Sequence, residues 1–185
     1  MERWPATASV YRMSHHSLVP LASLAALALA CQGYSFRTEL KGEATVPGGP
    51  EGPLNGFPVM AAFSNLDFDQ NPDFKSQGLV RGQVTAAGAE SVKVRVLSPT
   101  DEDFAFLDSL QLVARSGDVE TLFAEKQGIA DLGLSAPNPT LLVDVKAVSL
   151  RDHLASPSTS FIVRAKGRVP RKDTRLEVAL VLGFE

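Results

Sequence analysis

The stretch "TRLEVALVLGF", residues 174–184, alternates along its whole length. Leu176, Val178, Leu180, Leu182 and Phe184 share one side, with Arg175 and Glu177 on the other. Successive side chains of an extended backbone point to opposite faces, so this pattern predicts a strand with one buried face.

Working outward, the same period recurs. In "TSFIVRAKGRV" (159–169), Phe161, Val163, Ala165 and Val169 oppose Arg164, Lys166 and Arg168. In "TLLVDVKA" (140–147), Leu141, Val143, Val145 and Ala147 face inward while Asp144 and Lys146 face out. "SLQLVARS" (109–116) groups Leu110, Leu112 and Ala114, and "SVKVRVLS" (91–98) groups Val92, Val94 and Val96. Turn signals separate these runs: Ser98-Pro99, Ser116-Gly117-Asp118, Pro137-Asn138-Pro139 and Pro170-Arg171-Lys172-Asp173. Short strands at regular spacing predict an all-β fold, an antiparallel β-sandwich of immunoglobulin-like character with about seven to nine strands. Trp4 lies in the leader and Cys31 is the sole cysteine, so the Cys…Trp…Cys pattern of true immunoglobulin domains is absent. One or two short helical turns are expected, over Asp101–Leu107 and from Ser149, where Ser149-Leu150-Arg151-Asp152 has the form of a capping box.

Upstream, "YSFRTELKGEATV" (34–46) predicts either an edge strand of the domain or part of a tether. Eight of the fifteen residues in "ATVPGGPEGPLNGFP" (44–58) are Gly or Pro, a composition that resists regular structure. The domain layout expected is therefore 1–30 as a removed leader, 31–58 as N-terminus, first strand and Gly/Pro-rich tether, and 59–185 as the β domain.

Composition narrows the function. The chain is 44% hydrophobic and 21% charged, a globular balance. Without residues 1–30 it keeps 16 basic and 20 acidic groups, a net charge of −4, which argues against nucleic-acid binding. One cysteine makes neither an internal disulfide nor a thiolate zinc site. No G-x-S-x-G, H-E-x-x-H or phosphate loop occurs, and His153 is the one histidine of the body, expected at the surface. No cofactor is expected.

Three polar groupings are candidates for binding. Arg164, Lys166, Arg168, Arg171, Lys172 and Arg175 place six cations in twelve residues. They suit lipid head groups, an anionic polysaccharide or a protein partner, or else form a solvated face that discourages edge pairing. Asp67, Asp69, Asn71 and Asp73 begin like a calcium loop, but Pro72 holds the required glycine position and Gly78 the required glutamate. The plainer reading is a strand end followed by an Asn-Pro turn. Asp101, Glu102 and Asp103 suit the start of a helix, or else join Asp67 and Asp69 in space.

The N-terminal region points to location. Leu18–Ala30 carries no charge and follows Arg3 and Arg12; it is too short to span a bilayer and has the form of a secretory signal. Leu27-Ala28-Leu29-Ala30-Cys31 resembles the lipobox of bacterial lipoproteins, over residues 1–31 only. That resemblance implies cleavage between Ala30 and Cys31, a diacylglycerol on the Cys31 sulfur and an acylated new amine. Ala28 departs from the leucine usual three residues before the cysteine, and Ala28-Leu29-Ala30 also satisfies ordinary A-x-A cleavage, which leaves a secreted or periplasmic soluble protein as the alternative. Met1 and Met13 both remain as starts of translation. The same resemblance implies the outer membrane, because Gln32 rather than Asp follows the cysteine. The expected function is a non-catalytic, lipid-anchored envelope protein with a structural or partner-binding β domain. The alternatives are a carrier of an apolar ligand in a cavity and a hydrolase built from gathered carboxylates.

Overall fold

The computed structural model describes residues 35–54 and 56–185. The expected leader, the expected cleavage between Ala30 and Cys31 and the expected lipid attachment at Cys31 lie outside the described residues. Seven strands are present: β1 (Phe36–Val46), β2 (Ala87–Ser98), β3 (Leu107–Ser116), β4 (Val119–Gln127), β5 (Thr140–Val145), β6 (Ser160–Gly167) and β7 (Thr174–Phe184). Two short helices accompany them, α1 (Pro72–Ser76) and α2 (Arg151–Leu154), with brief 3-10 turns between. All pairings are antiparallel and join in the order β1-β7-β2-β5-β4-β3-β6. The fold is thus all-β. One curled, half-barrel sheet runs through all seven strands, and its narrowest seam is β4–β5, where only Ala124↔Val145 and Glu125↔Asp144 pair.

Alternation sets the inward face. Leu176, Val178, Leu180, Leu182 and Phe184 of β7 are all fully buried, as are Val94 and Val96 of β2 and Leu110, Leu112 and Ala114 of β3. Ala147, expected inward, is exposed because β5 ends at Val145. The turn between β3 and β4 uses Gly117 at φ 55°, the conformation a tight hairpin reserves for glycine. Strand β4 is not evident from the sequence. Leu112 and Val113 face Ala124 and Leu122, leaving Phe123 as the extra residue of a bulge, so the period of "VETLFAEKQ" breaks in its middle. Asp101–Leu107 is not a helix. A turn carried by Glu102 N–H to Pro99 C=O (3.2 Å) and an Asx turn from Asp103 to Ala105 N–H (2.8 Å) occupy it. A helix does follow Ser149, but Leu150 is its N-cap and Asp152 pairs with Arg151 rather than closing a capping box.

Between β1 and β2, Met60, Phe63, Phe68, Phe74 and Val84 join the core on the buried face of the sheet. Gly42 on β1 provides the room: a Cβ there would meet Met60 Sδ at 3.1 Å and Phe63 at 3.4 Å, so its absence lets both side chains lie on the sheet. Phe63 in turn packs edge-on against Phe161 of β6, which packs against Phe123 of β4. At the other side Phe36, Phe68, Phe74 and Phe184 form a second aromatic cluster. The Gly/Pro-rich stretch after Val46 is not a free tether. Gly49 N–H donates to Pro170 C=O, Val169 N–H to Gly52 C=O and Leu54 N–H to Gly167 C=O, which binds it to the chain after β6. Strand β1 pairs with β7 from Phe36↔Phe184 to Val46↔Thr174, so of the two expectations for 34–46 the edge strand is the one realised. Contacts gather Gly33–Glu185 into one unit.

Candidate functional site

The six cations of 164–175 do not form one continuous patch. Arg164 points outward from β6 and donates from Nη2 to both oxygens of Glu120, at 2.9 and 2.8 Å. Lys172 pairs with Asp101 at 2.7 Å, and Arg175 on β7 pairs with Glu43 on β1. Only Lys166, Arg168 and Arg171 lack an ion pair among the described residues. Exposed pairs of this kind contribute little stability, ~0–1 kcal/mol, so the three bound cations mainly cancel charge. Acidic partners distant in sequence, none of them directly opposite in register, have split the run.

What the sheet brings together instead is a mixed polar groove on the outer face of β6, β3 and β4. Register places Arg164 opposite Gln111, Gln111 opposite Glu125, Lys166 opposite Ser109 and Ser109 opposite Gln127. The groove has a volume of about 690 Å³ and runs to the turn at Gly128–Asp131, with Asp108 and Arg168 also on its walls. Glu125 is its most organised group. It accepts from Gln111 Nε2 (2.8 Å), Gln127 Nε2 (3.0 Å) and Lys146 Nζ (3.1 Å). Those hydrogen bonds lower its pKa to about 2, with the bond from Gln111 the largest cause. Gln111 was legible as an outward position of β3, whereas Glu125 and Gln127 belong to β4 and carried no sequence signal.

A second cleft of about 460 Å³ lies between Gly49–Glu51, Asp101–Phe106 and Arg168–Lys172. Within it Glu102 has a raised pKa, chiefly from desolvation and then from Asp103 and Asp101 beside it. Asp101 is held low by its hydrogen bond from Lys172.

The candidate calcium ligands are occupied by protein donors. Arg81 Nη1 bonds Asp67 Oδ1 (2.8 Å), and Arg81 Nε and backbone N–H both meet Asp69. Asn71 Oδ1 caps α1 by accepting from Asp73 N–H (2.9 Å) and Phe74 N–H (3.3 Å). Asp73 accepts from Thr38 Oγ1 on β1. The motif is therefore a helix start tied to β1, and Asp101–Asp103 do not join it.

His153 is buried, against the expectation of a surface residue. Its Nδ1 lies 2.9 Å from Ser116 Oγ and its Nε2 2.8 Å from Thr121 Oγ1, so the imidazole ties α2 to the β3–β4 hairpin. Burial lowers its pKa, and Asp152 opposes that shift. Hydroxyls flank both nitrogens, with no carboxylate to orient the ring, and no cleft described above reaches it. Its position suits a structural link.

Comparison with protein-family models finds no match, and none of the curated proteins is similar to the chain. Among the described residues no helix is long and apolar enough to cross a membrane.

Proposed function

We propose that the protein is a non-catalytic lipoprotein of the bacterial envelope, cleaved before Cys31, lipidated there and held at the outer membrane. Its β domain acts as a partner-binding or structural module. The observation that supports binding is the groove on β6, β3 and β4, where Lys166 and Arg168 stand without ion pairs beside the amides of Gln111 and Gln127. The two unpaired cations suit an anionic polysaccharide or an acidic face of an envelope protein, while Gln111 and Gln127 hold Glu125 in place beside them. The concave interior is filled by Phe63, Phe68, Phe74, Phe104, Phe123 and Phe184, which leaves the apolar-carrier reading with less support. At the level of architecture, the two-pair seam between β4 and β5 supports viewing the molecule as an immunoglobulin-like sandwich joined along one side.

A hydrolase has one observation in its favour, the raised pKa of Glu102 inside a cleft. Against it, Asp101 is engaged by Lys172 and Asp103 by the Ala105 amide, so neither acidic neighbour of Glu102 in the run is free.

Two experiments test the proposal. Intact mass of the protein extracted from membranes should equal the chain from Cys31 plus acyl groups; an unmodified chain recovered from the soluble fraction refutes the anchor. Retention of envelope polysaccharides and proteins on immobilised wild type should be lost on a Lys166→Ser/Arg168→Ser double variant of unchanged melting temperature. Equal retention by both refutes the groove.

A further inference from the structure

The distance along the chain from Cys31 to the sheet is short. Strand β1 begins at Phe36, and Ser35 is already fixed, its N–H and hydroxyl both donating to Phe184 C=O at 2.7 and 3.0 Å. Four peptide links separate Cys31 from Ser35. Fully extended they reach ~14 Å, whatever their conformation.

The end of the sheet at which the chain enters is well defined. Phe36 pairs with Phe184, Phe184 with Ala87, and Thr85 N–H donates to Glu185 C=O. Helix α1 sits there as well, with Phe74 against Phe36 and Asp73 bonded to Thr38. The segment after α1, residues 77–83, carries Val80, an apolar side chain half exposed at this end. Strand β1 then runs the other way for eleven residues, about 35 Å at ~3.3 Å per residue. At that far end Val46 pairs with Thr174, and the turn Arg168–Lys172, the cleft beside Asp101–Phe106 and the Gly128–Asp131 end of the groove are found. Along the β1 edge, by contrast, the charges are closed on one another in the pairs Glu39–Lys41 and Glu43–Arg175. With Arg37 paired to Glu90 as well, the cations along that edge are all engaged within the protein.

We infer that the anchoring membrane is met by the end of the domain built from the first residues of β1, α1 and residues 77–83, and that the turn Arg168–Lys172 and both clefts are presented at the opposite end. This rests on lipidation at Cys31. It assigns a bilayer to one surface and removes it from another: the cations at 168–172 serve a partner lying away from the anchoring leaflet, not the head groups of that leaflet.

The test uses the lipidated protein in phosphatidylethanolamine/phosphatidylglycerol vesicles. The sulfur of Cys31 is blocked by lipid and the chain has no other cysteine, so an introduced thiol is the sole labelling site. Gln77→Cys and Arg171→Cys, both at exposed positions, are each labelled with a donor dye, and energy transfer to an acceptor lipid is read. The expected result is strong transfer from position 77 and its near-complete loss at position 171. Insertion of a flexible Gly/Ser segment between Gln32 and Gly33 should abolish that difference. Equal transfer from both positions at natural linker length overturns the inference, as does a difference that survives the insertion. Intact mass of the same preparation separates the two levels: a chain without acyl groups refutes the anchor itself, whereas an acylated chain with equal transfer refutes only the orientation.

Discussion

Replacing Phe184 by alanine probes whether β7 closes the sheet through to its last residue. Phe184 is fully buried, and its ring stacks on Phe36 at 4.8 Å, meets Phe74 edge-on at 4.9 Å and lies 6.0 Å from Phe68. Truncating a buried phenylalanine costs ~3–5 kcal/mol through lost transfer energy and the cavity left behind. Aromatic pairs of this geometry each contribute ~0.5–1.5 kcal/mol beyond area, which places the expected loss in the upper half of that range, about 4 kcal/mol. For a domain of this size each kcal/mol corresponds to ~2–4 °C, so the midpoint should fall by about 8–16 °C. The assay is urea unfolding followed by circular dichroism, with thermal melting alongside. Val119→Ala, at an exposed position, serves as the control and should change stability by less than about 0.5 kcal/mol. A Phe184→Ala loss below about 1 kcal/mol would refute the placement of this residue in the core.

Gly42→Val should destabilise by ~1–3 kcal/mol, because the new side chain runs into Met60 and Phe63; Met60→Ala in the same chain should recover part of that loss in a double-mutant cycle. His153 has a lowered pKa in the folded state, so the unfolded chain binds the proton more readily and stability should decline as pH falls below about 6.5. His153→Gln should flatten that slope in urea titrations across the same window, and an unchanged slope would sink the assignment. The Glu125 carboxyl should titrate near pH 2 by NMR, with Gln111→Ala moving it back toward the ordinary range; a Glu125 that titrates normally in the wild type counts against the network. Lys166→Ser/Arg168→Ser should leave the melting midpoint within about 1 °C while removing partner retention.

The strands that alternate cleanly were legible. In β7, β6 and β2 the residues grouped by period two are those the core buries. Strand β4 was not, since the bulge at Phe123 interrupts the pattern that would reveal it. The Asp101–Leu107 turn misleads because an acidic run after Ser-Pro fits a helix start as well as it fits an Asx turn. The candidate site was half legible. Arg164, Lys166 and Arg168 were visible as one outward face, but the neutralisation of Arg164 depends on Glu120, and the full cluster loses Lys172 and Arg175 to Asp101 and Glu43, residues distant in sequence. Neither of the two clefts has a local sequence signature, because register across β6, β3 and β4 assembles the first and three connecting segments distant in sequence assemble the second.

The pairing of β1 with β7 also constrains how the protein is made. Ser35 and Phe184, bonded to each other, stand 149 residues apart, so a strand synthesised early waits for one synthesised late. Until then β1 is an unpaired strand with Phe36, Ala44 and Val46 uncovered, and closing so long a loop is slow. A chain in that state carries an open strand edge, and its half-life before closure sets how much escapes proteolysis.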